Sequence, residues 1–312
     1  MNKKFRKFVG RHCYGANLCL DKPSHVTTCH PLPEVEGNNS FAKQTDTLSP
    51  RPLRERARER GQRAAFTLAE VLITLGIIGV VAALTMPSLI QKHKEQETVA
   101  KLKKFSSVMS QALTMAVQNE GEIQNWGLGT SGLGTEESDD EIANAGLARK
   151  KFLDIVTKYL KYTEYHPIDS EATLYDRYSL DGTKFDYFAK RVVLPDGMSI
   201  VGNTILRPNC NFSRGDSNAL QNICGELFVD INGEKGPNAT GKDVFLFYYN
   251  RYGYLIPVGS AAENSFKFED KCNRSKTNNL NGYGCTAWVI YNENMDYLHC
   301  NDLSWQGKRK CK

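Results

Sequence analysis

Residues 64–84 read AAFTLAEVLITLGIIGVVAAL, and the rest of the architecture is organised around this apolar run. Its only charged residue is Glu70. A helix of about twenty apolar residues matches the roughly 30 Å hydrocarbon core of a bilayer, so the run predicts a transmembrane helix. An ordinary secretory signal fits less well, because the apolar run is too long and an acidic residue interrupts its start.

The helical pattern continues past the apolar run. Apolar residues recur there at spacings of three and four, while Lys101, Lys104 and Ser107 lie off that stripe, and Gly121 is a stop signal. We therefore predict one helix from residue 66 to about residue 119, roughly 80 Å long at 1.5 Å per residue. Residues 66–90 would span the membrane, and residues 91–121 would be its amphipathic continuation. The stripe consists of Val99, Leu102, Phe105, Met109, Ala112, Leu113 and Ala116.

The pattern of residues 122–312 predicts a globular head. A glycine-rich and then acidic stretch over residues 127–141 indicates a surface loop, and residues 147–162 have the spacing of an amphipathic helix. Short runs rich in β-branched and aromatic residues then predict strands. The predicted strands are 191–194, 198–201, 226–231, 244–250, 254–258 and 286–291. The expected fold class is α+β, with the long helix packed on an antiparallel sheet.

Residues 1–65 carry 13 Lys and Arg against 6 Asp and Glu, whereas the remainder of the chain is slightly acidic. They lack apolar periodicity and end in an arginine-rich run, so we expect a disordered, basic leader. The net charge of +5 therefore comes from the leader, and we do not expect the head to bind nucleic acid. The positive charges on both sides of the apolar run leave its orientation open.

The nine cysteines divide at the apolar run, with three before it and six after it. An even set on one side suits a head exported to an oxidising compartment, which places the N-terminus in the cytoplasm. Fifteen connectivities are open to six cysteines, and pairing of sequence neighbours is the simplest. A zinc site at His299 and Cys300 is an alternative. The candidate pairs are Cys210 with Cys224, Cys272 with Cys285, and Cys300 with Cys311.

The motif Phe66-Thr67-Leu68-Ala69-Glu70 resembles the processing and methylation motif of type IV pilins and type II secretion pseudopilins. The resemblance implies that a prepilin peptidase cuts between Ala65 and Phe66 and N-methylates Phe66. It also implies a pilin-like fold that polymerises through its N-terminal helix on an inner-membrane assembly platform. The sequence departs from the family pattern at Ala65, where glycine is usual.

A charge at Glu70 near the edge of the hydrocarbon costs several kcal/mol unless it is neutralised. The new amino group of Phe66 on a neighbouring copy would neutralise it and set the register between subunits. The alternative is that Glu70 reaches the membrane surface in an ordinary anchor. Pro87 predicts a kink or local melting. Gly76 and Gly79 would either add flexibility there or permit close helix packing.

Residues 225–243 form a glycine-rich segment between two predicted strands, with oxygen donors at Asp230, Asn232, Asn238 and Asp243. Calcium takes six to eight oxygens from such loops, although the spacing does not match an EF-hand. The other interpretation is a hairpin turn at Asn232-Gly233, in which the two aspartates accept hydrogen bonds from loop amides. Calcium is the one cofactor that the sequence suggests.

The motifs of serine hydrolases, zinc proteases, P-loop nucleotide-binding proteins and CxxC redox proteins do not occur in the chain. We therefore expect a structural protein rather than an enzyme. The function that the residues and the resemblance favour is a subunit of a type IV pilus or a type II secretion pseudopilus. The alternatives are a minor tip subunit or adhesin, and a membrane-tethered binding module that does not polymerise.

Overall fold

The computed structural model describes residues 66–129, 139–167 and 172–311. The predicted leader, with Ala65 at its end, lies outside the described residues, as does most of the acidic loop. The described part is α+β, with a long N-terminal helix packed against an antiparallel sheet.

Helix α1 (Leu68–Glu120) contains both the apolar run and the amphipathic stripe. It ends where the sequence predicts, since Gly121 adopts a φ of 82° and donates its amide to the carbonyl of Val117 at 3.0 Å. The helix is unbroken at Pro87, so the predicted local melting is wrong. An interior proline costs a helix about 3 kcal/mol or more, and the hydrogen bonds that form cooperatively on both sides of Pro87 keep the helix continuous across it.

Six strands form one antiparallel sheet. The strands are β1 (Glu164–Tyr165), β4 (Val192–Val193), β5 (Ser199–Ile205), β6 (Ile223–Asp230), β7 (Val244–Asn250) and β8 (Leu255–Pro257). They lie in the order β1-β4-β5-β6-β7-β8. The central strands β6 and β7 are buried along their whole length, so the sheet is covered on both faces.

One face of the sheet packs against α1 and against α2 (Asp139–Val156). Strand β7 shows the alternation, because Phe245, Phe247 and Tyr249 point into this core. Tyr249 stacks on Phe152 of α2 with ring centroids 4.4 Å apart. All seven residues of the predicted α1 stripe are buried here, which confirms the amphipathic half of the helix. The helix predicted at 147–162 starts earlier and ends at Val156, followed by a 3₁₀ turn at Thr157–Tyr159.

The opposite face of the sheet has a second core under a hairpin that the sequence analysis missed. The hairpin consists of β2 (Thr173–Tyr178) and β3 (Lys184–Lys190), inserted between β1 and β4. Arg177 of β2 is largely buried, with its guanidinium 4.8 to 5.2 Å from the ring centroids of Phe188, Phe228 and Tyr283. These cation–π contacts, together with packing, hold the hairpin on the sheet.

The predicted strand at 286–291 is wrong, because this segment forms helix α4 (Thr286–Asn292). Its short run of β-branched and aromatic residues fits a strand or a buried helix equally well by pattern. Packing decides for the helix: Trp288 is fully buried and stacks on Phe268 of α3 (Phe268–Lys271), with ring centroids 4.0 Å apart.

Three disulfides close loops of the head, and they join the sequence-neighbour pairs. The bonds are Cys210–Cys224, Cys272–Cys285 and Cys300–Cys311. Cross-links that close loops of this length stabilise a fold by about 2 to 4 kcal/mol each.

Candidate functional site

The N-terminal half of α1 has no packing partner within the described chain. Large apolar side chains are exposed from Phe66, which precedes the helix and is 82% exposed, to Ile90, which is 54% exposed. The helix is long enough and apolar enough to cross a membrane. In water such a surface would be unfavourable, so it requires lipid or other helices around it.

Glu70 forms a capping box with Thr67 at the start of this helix. The Thr67 amide and hydroxyl each donate to Oε2 of Glu70 at 2.9 Å, and the Glu70 amide donates to the Thr67 hydroxyl oxygen at 3.2 Å. Such a box satisfies amides that the first helical turn leaves free. Glu70 therefore has a partner within its own chain, which the sequence analysis missed although the Thr-x-x-Glu spacing is a known cap signal. Its Oε1 accepts no hydrogen bond from the described residues.

Gly76 and Gly79 lie three residues apart and so share one face of α1. A Cβ added at either position would meet nothing within 4 Å. The two glycines therefore leave a shallow, open surface that permits another helix to approach closely.

The C-terminal half of α1 is fixed to the head by polar contacts as well as by the core. Lys104 pairs with Asp196 at 2.6 Å, and Lys158 pairs with Glu120 at 2.8 Å. At the start of the amphipathic half, Nε2 of His299 lies 2.9 and 3.0 Å from the two carboxylate oxygens of Glu95. These contacts, on both ends of the amphipathic half, add to the packing that holds the head on the helix.

The loop between β6 and β7 brings two buried aspartates together. Asp230 accepts hydrogen bonds from the Asn232 amide at 3.0 Å and from the Tyr175 hydroxyl at 2.8 Å. Asp243 accepts from the amides of Asn238 and Ala239 at 2.8 and 2.7 Å. The aspartates thus accept hydrogen bonds from loop amides, as the turn interpretation expects. Tyr175 comes from the missed hairpin, 55 residues from Asp230, and no local signal predicts it.

Both aspartates are held in an environment that disfavours their charge. Burial, and then the nearby Asp243 charge, raise the pKa of Asp230 to about 7. Burial also raises the pKa of Asp243, although its amide donors act in the opposite direction. At neutral pH the pair therefore has an unfavourable charge that a proton or a cation would relieve.

Four side chains of this loop carry oxygens of the type that calcium takes, but Asn232 donates its Nδ2 to Oδ2 of Asp243 at 3.3 Å. Beside the two carboxylates, Oδ1 of Asn232 and Oδ1 of Asn238 are buried and lack hydrogen-bond donors. Of the four residues predicted from the sequence, Asn232 contacts both aspartates, and Asn238 contacts Asp243 through its backbone amide. Within the described residues, no group of three or more His, Cys, Asp or Glu is arranged to hold a metal, so calcium would depend on the asparagine oxygens.

The structure does not support the zinc alternative at the C-terminus. Cys300 is bonded to Cys311, and His299 contacts Glu95. Because a zinc-binding cysteine must be a free thiolate, this pair does not form a metal site.

The described chain is thus an α+β protein with three disulfides, on which one long helix presents an exposed apolar half. The chain belongs to the family of unknown function DUF6613, whose model matches residues 88–295. The match covers the amphipathic half of α1 and most of the head, and it begins immediately after Pro87. No curated protein and no solved structure matches the chain.

Proposed function

We propose that the chain is a structural subunit of a type IV pilus or a type II secretion pseudopilus. Processing would remove residues 1–65 and methylate the new amino group of Phe66. The mature helix would then pack with the helices of other copies in a filament. Copies related by such side-by-side, heterologous contacts form an open helical array rather than a closed ring.

The observation that carries this proposal is that the two halves of α1 have different surroundings. One continuous helix of 53 residues exposes apolar side chains over its first half and buries an apolar stripe in the head over its second half. A plain membrane anchor needs only the first half. Because the helix continues into the head without a break, the position of the membrane segment would determine the position of the head. A filament subunit requires this.

The arrangement at Glu70 supports the same proposal. Thr67 holds Oε2 within the chain, so Oε1 is available for the amino group of a neighbouring copy. The pairing would compensate the carboxylate in the low dielectric of a helix bundle. It would leave the helix cap intact, because cap and pairing use different oxygens.

The proposal places the chain in a bacterial inner membrane, with its N-terminus in the cytoplasm and its head in the periplasm. The disulfides of the head agree with an oxidising compartment. The expected partners are a prepilin peptidase, other copies or related pilins, and an inner-membrane assembly platform. No catalytic role is proposed.

The decisive experiment is the N-terminus of the mature protein, measured by mass spectrometry of the membrane fraction. We expect it to begin with N-methylated Phe66. Ala65→Leu should block the cut because a bulky side chain replaces a small one, while Ala65→Gly, the residue usual in the family, should be processed normally. A wild-type protein that retains residues 1–65 in the membrane would contradict the proposal, and so would normal processing of Ala65→Leu.

A membrane-tethered binding module is the second candidate, because the head has an open cleft of about 610 Å³ beside α1. Shearing cells and probing the released material separates the two functions. A filament subunit is released in a sedimenting polymer, whereas a tethered module remains with the membrane. A minor tip subunit would be released in a small fixed ratio to a more abundant pilin.

A further inference from the structure

Strand β2 of the missed hairpin has one edge without a neighbouring strand. β3 pairs with β2 on one side, and the two form a sheet separate from the six-stranded one. On the other side of β2, a single bridge joins Tyr178 to Ala239 of the β6–β7 loop. Over the rest of its six residues, this edge of β2 is therefore open within the described chain.

The bridge at Tyr178 shows which backbone groups point away from β3. The Tyr178 amide donates to the Asn238 carbonyl at 3.1 Å, and the Tyr178 carbonyl accepts from the Thr240 amide at 2.9 Å. Successive residues of an antiparallel strand direct these groups alternately toward the partner strand and away from it. The amides and carbonyls of Leu174 and Asp176 therefore also point outward. None of them bonds to another segment that the structure describes.

The open edge of β2 lacks the features that usually prevent unwanted pairing. Sheets in natural proteins protect their edges with short strands, prolines and charged side chains. β2 is six residues long and contains no proline. The carboxylate of Asp176 is already paired with Lys184 at 2.7 Å, and the apolar side chain of Leu174 is 57% exposed. The edge is therefore suited to accept a strand rather than to exclude one.

Open space adjoins the same edge. A cavity of about 550 Å³ is lined by residues of the hairpin and of the β6–β7 loop, among them Asp176, Tyr178 and Pro237. A strand added beside β2 would run about 4.8 Å from it. The cavity offers room for that strand near Tyr178, and the exposure of Leu174 leaves the other end of the edge accessible.

We propose that the outer edge of β2 binds an extended segment of another polypeptide as an additional strand. The amides and carbonyls of Leu174 and Asp176 would pair with the backbone of that segment, as in other cases of strand addition at a sheet edge. An apolar side chain of the segment would lie opposite Leu174 and cover it. The inference does not depend on processing or polymerisation of the chain.

An extended polypeptide fits because its own donors and acceptors recur every second residue, about 6.8 Å apart, as do those of β2. A second copy of this chain is a poorer partner. If two β2 strands paired the outward groups of Leu174 with those of Asp176, each leucine would face an aspartate and gain no apolar neighbour. Pairing of identical edges also needs a two-fold contact, whereas the proposed filament is built from heterologous contacts.

The test measures amide hydrogen exchange in the full-length chain in detergent, at single-residue resolution. After correction for intrinsic rates, the amides of Leu174 and Asp176 should exchange at least about tenfold faster than those of Tyr175 and Arg177, which point toward β3. The probe is a capped hexapeptide of alternating threonine and valine. At millimolar concentration it should slow exchange at Leu174 and Asp176 by a larger factor than at Tyr175 and Arg177.

Two controls separate strand pairing from side-chain contact. The same hexapeptide with N-methylated amides keeps its side chains but cannot donate backbone hydrogen bonds, so it should not slow exchange at either residue. Leu174→Pro removes one outward donor, and the pairing with β3 should survive because sheet edges tolerate proline. This variant should bind a fluorescent form of the first peptide at least about fivefold more weakly than the wild type. Leu174→Thr keeps the amide and should bind more tightly than Leu174→Pro.

The other results decide against this occupant of the edge. Equal effects of the two peptides, or equal affinities of the two Leu174 variants, would overturn strand addition. Slow exchange at Leu174 and Asp176 in the dilute protein without peptide would mean that the edge is already covered, and would overturn it as well. Protection that grows with protein concentration in the absence of peptide would assign the edge to a second copy. If Leu174→Pro does not fold, the comparison of the two peptides on the wild type still decides.

Discussion

Replacing Asp230 with asparagine separates the two interpretations of the β6–β7 loop. Asp230 is fully buried, and its pKa rises from 3.8 to about 7, first because of burial and then because of Asp243. The folded protein therefore holds this proton more tightly than the unfolded chain does. The resulting stability is fully present at low pH and is lost as the pH rises between the unfolded and the folded pKa.

The magnitude follows from linkage. For one group with those two pKa values, the free energy of unfolding falls by roughly 2 to 3 kcal/mol between pH 5 and pH 8. Asparagine has no such dependence. The stability of Asp230→Asn relative to the wild type should therefore rise by that amount from pH 5 to pH 8. Asparagine offers one side-chain oxygen to the Tyr175 hydroxyl and the Asn232 amide, whereas aspartate offers two. The loss of stability from this difference is the same at both pH values, so it cancels when they are compared.

The assay is chemical denaturation of the full-length chain in detergent at both pH values, in a calcium chelator. A difference between wild type and variant that does not change with pH would refute the argument from burial. Repeating the measurement with calcium tests the metal. A ligand at a hundred times its dissociation constant stabilises the folded state by about 2.7 kcal/mol. If the loop binds calcium, the wild type should gain stability at pH 8 and Asp230→Asn should not.

The remaining predictions concern assembly and the packing of the head. Glu70→Ala should leave membrane insertion intact but remove the subunit from sheared filaments. Glu70→Gln keeps a side-chain acceptor for the helix cap but removes the charge. If this variant assembles and Glu70→Ala does not, then assembly depends on the cap rather than on the charge. Replacing Cys300 and Cys311 with serine should lower the free energy of unfolding by about 3 kcal/mol, which guanidinium titration measures; an unchanged midpoint would mean that the bond constrains nothing. Gly259→Ala should destabilise the head by about 3 kcal/mol or more, because Gly259 has a φ of 95° and a Cβ would lie 1.9 Å from the Gly284 carbonyl oxygen. Gly182→Ala, at a φ of 92° in open space, should cost only about 1 to 2 kcal/mol, measured for both glycine variants by the same guanidinium titration, and equal losses would argue against the clash.

The features that could be predicted from the sequence are those encoded by nearby residues. The α1 stripe from Val99 to Ala116 was predictable because a helix repeats its buried face every three or four residues. The stop at Gly121 was predictable for a similar reason, since only the local backbone decides it. Strand β7 was found by its run of β-branched and aromatic residues, and β6 by the shorter apolar run Leu227–Val229.

The parts that could not be predicted depend on contacts between distant segments. The β2–β3 hairpin mixes charged and aromatic residues, and its largely buried Arg177 packs beside one ring of the hairpin and two rings from distant segments. Helix α4 shows the opposite failure: its residues match a strand locally, but the packing of Trp288 on Phe268 requires a helix.

In the candidate site, too, the residues close in sequence were predictable and those from distant segments were not. The sequence identified Asp230 and Asp243 through their spacing around a glycine-rich turn. It did not identify Tyr175, which comes from the unpredicted hairpin. The cleft beside α1 was also missed, because its lining residues Lys94 and Lys235 are 141 positions apart and only the fold places them around one surface.

The outermost strands of the six-stranded sheet are short. Strand β1 has two residues at one border, and β8 has three at the other, the last of which is Pro257 and offers no amide proton. Such borders are poor templates for the addition of a foreign strand. Heads crowded side by side would therefore resist fusing into a continuous cross-β array, and contacts between neighbours would have to come from side chains and from helices.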